Sequence, residues 1–234
     1  MRIVNRAFCG LNFHVMPTAI LFFMTFIGMS IAGETRGYTI HNKGVGGNTT
    51  KDALSRYDRD VRAFSPQALI IFFGMNDAVN DAKAVPLEQF RLNLQEIVRL
   101  GKEGSSKMAL ITINPVFEEP LYARHPKNVD SFYLARGGAN AIIRDYNEVI
   151  RKVAAEQSVP LLDYNQTILG SPGSSIDRFV CADGVHPTSE GTKAIARLAA
   201  DFLRKELPAG GTVVCFGDSI TMNGYPAMLD RLLQ

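Results

Sequence analysis

Ser219 closes an apolar run, Gly211–Ile220 (GTVVCFGDSI), that reads as a β-strand ending in a tight turn. A serine hydroxyl is a weak nucleophile until a base within hydrogen-bond reach takes its proton, and that base needs a third group to hold its tautomer. Asp183-Gly-Val-His186 offers both from one loop. A spacing of three lets the chain turn back, so that the carboxylate accepts from imidazole Nδ1 and Nε2 is left for Ser219. Acyl transfer also needs donors aimed at the developing oxyanion, each worth about 2.7–4 kcal/mol in the transition state. Two stretches could supply them: Gly44–Thr50 (GVGGNTT), where a glycine N–H has no Cβ in the way, and Gly74–Asp77 (GMND), where Asn76 brings a side-chain amide. The N–H of Ser219 would be a third donor. Asp218 and Asn48 are read as shaping their turns.

Each block alone fits an ordinary turn or surface loop; it is their conjunction that points to acyl transfer. Of the other histidines, His14 lies in the apolar N-terminal region, His41 in an expected strand, and His125 is a rival base. The glycine-rich stretch invites a phosphate-cradle reading, but Gly44-x-Gly46-x-x-Thr49 misses the third glycine of the dinucleotide fingerprint and is not a Walker A loop. A nucleotide-binding doubly wound protein stays as an alternative, and so does a carbohydrate- or partner-binding module with a spoiled triad.

These residues need a scaffold. Five apolar runs read as strands: Tyr38–His41, Ala68–Phe73, Met108–Ile113, Pro160–Asp163 and Thr212–Phe216. Between them apolar residues recur at three and four, as in Leu54, Tyr57, Val61 and in Ile142, Ile143, Tyr146, Ile150. Strands alternating with amphipathic helices predict a parallel sheet covered on both faces, with the site outside the carboxyl ends of the strands. Asn114 to Ala139 reads as a long irregular stretch, either a pocket wall or a decorated surface loop.

The four blocks, Gly217-Asp-Ser219, the Gly44–Thr50 stretch, Gly74-Met-Asn-Asp77 and Asp183-Gly-Val-His186, resemble those of the SGNH hydrolases, also called the GDSL esterase/lipase family. The resemblance spans Tyr38 to Leu233. It implies an α/β fold of the SGNH type, a three-layer α/β/α sandwich around a five-stranded parallel, flavodoxin-like sheet. It further implies a serine esterase with Ser219, His186 and Asp183 as triad and Ser219, Gly47 and Asn76 as oxyanion hole. Aligning Asn42–Thr49 on the family's block selects Gly47, with Gly46 as fallback. The family acts on carbohydrate acetyl esters, aryl esters, lysophospholipids and thioesters, and needs no metal or cofactor. One departure stands out: the serine block normally comes first and here comes last. The chain reads as a circular permutant, in which Tyr225–Gln234 would run on into Gly33–Tyr38 and Pro208–Gly211 would bridge the usual termini.

With 234 residues and 46% hydrophobic, the chain can build one α/β domain. A net charge of +2, with basic and acidic residues interspersed, carries no nucleic-acid footprint. Arg2 and Arg6 precede an apolar run from Ala19 to Ala32, and Ser30 and Ala32 are small residues placed for cleavage. This is the layout of a secretory signal over residues 1–32 ahead of a hydrolase domain over 33–234. An uncleaved membrane anchor and a buried helix are the alternatives, although roughly 20 residues are needed to span a bilayer. Cys9 would leave with the signal, and Cys181 and Cys215 are expected to be free thiols.

Overall fold

A computed structural model of the protein describes residues 37–124, 126–170 and 175–234. The expected signal segment and His125 lie outside the described residues. The chain runs β1 (Tyr38–Gly44), α1 (Thr50–Asp60), β2 (Ala68–Phe72), α2 (Met75–Val79), α3 (Leu87–Glu103), β3 (Lys107–Ile111), α4 (Glu118–Arg124) and α5 (Ala139–Glu156). It continues through β4 (Leu161–Leu162), α6 (Tyr164–Leu169), α7 (Ser189–Glu206), β5 (Gly211–Gly217), α8 (Ser219–Met222) and α9 (Tyr225–Leu233). The strands form one parallel sheet in the order β1-β5-β2-β3-β4.

β5, late in the sequence, is thus inserted between the first two strands. Tyr38 to Gly44 pair with Gly211 to Gly217, and Ala68 to Phe72 pair with Val213 to Gly217 on the other side. Burial explains the placement. Val213 to Phe216 are fully buried, as is every residue of β2, and a strand covered on both faces reads as a continuous apolar run.

Alternate side chains of a strand point to opposite faces, and the rings show which helices cover which. Phe216 meets Tyr57 of α1 edge-on at 6.0 Å between centroids. Phe72 meets Tyr164 of α6 and Tyr225 of α9, each at 6.3 Å. On the first side α3 packs between α1 and α5; on the second α7 packs against α6 and α9, and α9 also lies along β1. The three-layer α/β/α sandwich is therefore present. Helix starts follow their caps: Thr49 and Asp52 form a reciprocal capping box at α1, and Thr188 caps α7.

Two expectations need adjusting. β1 runs three residues beyond His41, since Asn42, Lys43 and Gly44 keep pairing with β5 although their side chains are polar or absent. The stretch 114–139 is not irregular throughout: it holds α4, a π-type turn at Val129–Tyr133 and a 3-10 turn at Leu134–Arg136. These are anchored by fully buried Tyr133, whose hydroxyl donates to Val79 O at 2.7 Å.

Candidate active site

The loops leaving β5, β2 and β1 meet the loop before α7 outside the carboxyl end of the sheet. Ser219 begins α8 directly after β5. The turn is tight because Gly217 has no side chain: a Cβ there would lie 2.0 Å from Thr221 Oγ1 and 2.6 Å from Phe72 O. Asp218, 2% exposed, caps the turn by accepting the Ile220 N–H at 2.9 Å.

Ser219 Oγ lies 3.0 Å from His186 Nε2, and His186 Nδ1 lies 2.5 Å from Asp183 Oδ2. The other carboxylate oxygen of Asp183 accepts the N–H groups of Val185 and His186, at 2.9 and 3.0 Å. Burial works against this charge, but those N–H groups and the imidazole outweigh it and hold the Asp183 pKa below the usual carboxylate value. The loop is pinned by the bridge between Val180 and Pro187, by Cys181 N–H donating to His186 O at 2.8 Å, and by Asn114 Nδ2 donating to Val185 O at 3.0 Å.

Gly47 takes φ +73°, a conformation other residues rarely adopt. Among the described residues neither its N–H nor that of Ser219 finds an intramolecular acceptor. Asn76, in the first turn of α2, places its amide nitrogen 3.1 Å from Asn48 O and 3.2 Å from Asp218 Oδ2, while its amide oxygen accepts from Asn80 at 3.4 Å. Both hydrogens of the Asn76 amide are thus committed to the two turns that carry Gly47 and Ser219. Gly46 precedes Gly47 in the same turn. All the sequence-derived candidates among the described residues are therefore drawn together, and His41 sits apart against Phe64.

Sequence reasoning missed the groups that hold these turns. Arg56, 6% exposed, donates to Lys43 O at 3.0 Å, Gly217 O at 2.7 Å, Asn48 Oδ1 at 2.7 Å and Asp60 at 2.8 Å. Its guanidinium lies 4.5 Å from the Phe216 ring centroid. One buried cation thereby ties the ends of β1 and β5 to the turn that carries Gly47; the available signal was an arginine on the apolar face of a helix, four residues before an aspartate. Asp77 accepts from Thr50 N–H at 2.9 Å and Thr50 Oγ1 at 2.5 Å. Burial raises the pKa of Asp77 to about 6 and that of Asp218 to about 7. Arg124 of α4 donates to Asp183 O and lies 3.6 Å from Asp183 Oδ2.

Ser219 and His186 open into a cavity of about 100 Å³ walled by Met75, Asn76, Val79, Leu121, Arg124 and Val185. A larger cleft of about 670 Å³ lies past the Gly47 turn, between the start of α1 and residues 82–93. Cys181 and Cys215 are both free, and burial pushes the Cys215 thiol up to about 12.

A strand-end serine bonded to a loop histidine, in a five-stranded parallel sandwich, is chemically suited to ester hydrolysis. The chain belongs to the GDSL-like lipase/acylhydrolase family, whose model matches residues 24–194. It is similar to a lipoprotein of Bacillus subtilis (strain 168), YqeF, at 30% identity over 69% of this chain and 72% of the other. It is also similar to an acetylxylan esterase of Geobacillus stearothermophilus, at 24% identity over 72% of each chain. Among solved structures, a GDSL-like lipase from Bacteroides thetaiotaomicron VPI-5482 superposes with a TM-score of 0.58 at 26% identity, over 70% of this chain and 75% of that one. The protein is a carboxylic ester hydrolase of the SGNH/GDSL type. The family match ends before β5 and Ser219 begin.

Proposed function

We propose that the protein hydrolyses short-chain carboxylic esters through an acyl-enzyme on Ser219. The observation that carries this is the unbroken chain Asp183–His186–Ser219, at 2.5 and 3.0 Å. In this reading His186 Nε2 takes the Ser219 proton as Oγ bonds to the ester carbonyl carbon. Asp183 keeps the imidazole oriented and offsets the charge of the imidazolium. The carbonyl oxygen, now negative, lies between the N–H groups of Ser219 and Gly47. Asn76 adds its amide by giving up one of its present acceptors. The tetrahedral adduct collapses, the C–O bond to the alcohol breaks, and His186 returns the proton to the departing alkoxide. Water repeats the sequence in reverse roles and frees the acid.

The size of the cavity supports a short acyl group. At about 100 Å³ it is well below the roughly 300–1,000 Å³ of pockets that hold whole ligands, which suits acetyl better than a fatty chain. Acetyl esters of carbohydrate are the preferred substrates of this reading, ahead of aryl or lipid esters. The same reading takes the chain order as a rotation of the family's, which the position of β5 and the family match ending at residue 194 support. It also takes the protein as exported, supported by the layout of residues 1–32 and the similarity to a lipoprotein.

The test is 4-nitrophenyl acetate turnover with a fluorophosphonate label. Ser219→Ala and His186→Ala should each abolish nearly all activity while leaving the circular-dichroism spectrum intact. One label should add, on Ser219. A label on another residue, or a Ser219→Ala enzyme with most of its kcat, would sink the assignment.

A further inference from the structure

We infer that the cleft beyond the Gly47 turn receives the alcohol portion of the ester, and that it selects a portion bearing an anionic group, a carboxylate or a phosphate, through Lys51 and Lys83. This rests on the esterase reading above and extends it to the substrate class.

Among the described residues none lines both the cleft and the cavity beside Ser219, but one short turn runs from one to the other. Lys83 Nζ donates to Gly47 O at 3.0 Å, and the Lys83 N–H donates to Asn80 O at 2.8 Å. Asn80 in turn lines the small cavity with Ser219, whereas Lys83 lines the cleft. One short turn is therefore shared by both spaces. An ester whose carbonyl oxygen sits at Gly47 with its acyl group in the small cavity has the cleft next to it for the rest of the molecule. About 670 Å³ falls in the range of spaces that hold whole small molecules, and it far exceeds what an acetyl group fills.

The charges that face this space are unbalanced. Its one carboxylate, Asp52, accepts the Thr49 N–H and hydroxyl at 2.9 and 3.0 Å and keeps its negative charge, so with Lys51 and Lys83 the lining carries a net charge of +1. The Asn93 amide is spent on Thr50 Oγ1 and Gln89, at 3.1 and 2.8 Å. What remains is two ammonium groups. Among the described residues neither Lys51 nor Lys83 has a carboxylate within ion-pair distance, whereas Arg91, Arg99 and Lys193 each pair with a glutamate on their own helix. Lys83 uses one donor on Gly47 O and keeps two more. A wall with two ammonium groups against one carboxylate concentrates anions, and the backbone of the Gly47 turn holds one of those ammonium groups in place.

The experiment compares matched acetyl esters on the purified full chain: acetylated glucuronate against acetylated glucose, and acetylglycerol phosphate against acetylglycerol. In the wild type the anionic member of at least one pair should show a kcat/KM about tenfold higher or more, a ratio that shrinks as salt rises from about 0.05 to 0.5 M. The pair that discriminates identifies carboxylate or phosphate as the group read. In Lys51→Gln combined with Lys83→Gln the ratio should approach one. A ratio near one in the wild type, or one that survives the double substitution, overturns the inference. Calorimetric binding of free glucuronate and glycerol phosphate, against glucose and glycerol, separates the two failures. Discriminating binding without any 4-nitrophenyl acetate turnover would keep the anion subsite and defeat the esterase reading. Turnover without discrimination would do the opposite.

Discussion

Asn76 faces two ways, towards the place where an oxyanion would form and towards Asp218, the residue before the nucleophile. Its amide supplies a donor only in the transition state in this reading, so Asn76→Ala should lower kcat by about 10²–10³ with a smaller change in KM. Steady-state kinetics on 4-nitrophenyl acetate check this, and an effect confined to KM would assign Asn76 to ground-state binding. Asp218 makes a thermodynamic prediction. Burial raises its pKa from the ordinary carboxylate value to about 7, so the folded protein binds this proton more tightly than the unfolded chain does. Its contribution to stability is therefore most favourable below about pH 4 and declines as pH rises, levelling off above the folded pKa. Relative to Asp218→Asn, the wild type should lose stability steadily over that window. Urea unfolding at a series of pH values measures it, and a difference independent of pH would mean that Asp218 titrates normally.

At the scale of elements, Arg56 joins α1 to the ends of β1 and β5 and to the oxyanion turn. Replacing it by leucine takes a donor from the Lys43 and Gly217 carbonyls and from Asn48, while Asp60 keeps its pair with Arg59, and a buried polar group left without its partner typically costs about 1–3 kcal/mol. Arg56→Leu should lower the urea midpoint accordingly, and kcat should fall by up to about 10²-fold as the turn loses its anchor. A stable variant with full kcat would show that the turn holds its shape without Arg56. The strands were legible in the sequence because buried parallel strands are unbroken apolar runs, and the triad loop because Asp183 and His186 are local to each other. Arg56 and the Asn76–Asp218 bond were not legible, because they join residues 161 and 142 positions apart that only the folded sheet brings together. The end of β1 was underestimated for a related reason: its last residues are polar and keep their pairing because β5 lies beside them. Nor does α4 carry a long periodic pattern, with Pro120 inside seven residues.

For the molecule as a whole, the position of β5 sets what can be removed or moved. Deleting from Pro208 onward takes away the strand between β1 and β2 and exposes two sheet edges, so the remainder should be insoluble or unfolded on expression. Moving Gly211–Gln234 to directly before Gly33, and opening the chain at Pro208, should retain activity. It should also fold faster, because the pairing of β5 with β1 would become local in sequence. Refolding kinetics followed by 4-nitrophenyl acetate turnover test both statements, and an inactive or slower-folding rearrangement would count against the rotated order.

Synthesis runs from β1 towards α9, so the nucleophile and the middle of the sheet arrive together and late. In the proposed mechanism, a nascent chain that has emerged only as far as α7 already owns its base, its orienting acid and its oxyanion turn, yet it has nothing to attack with and no completed sheet to present them. In that reading, hydrolytic power is withheld from any translation product that stops before Ser219. The same strand that supplies Ser219 certifies that the scaffold around it has closed.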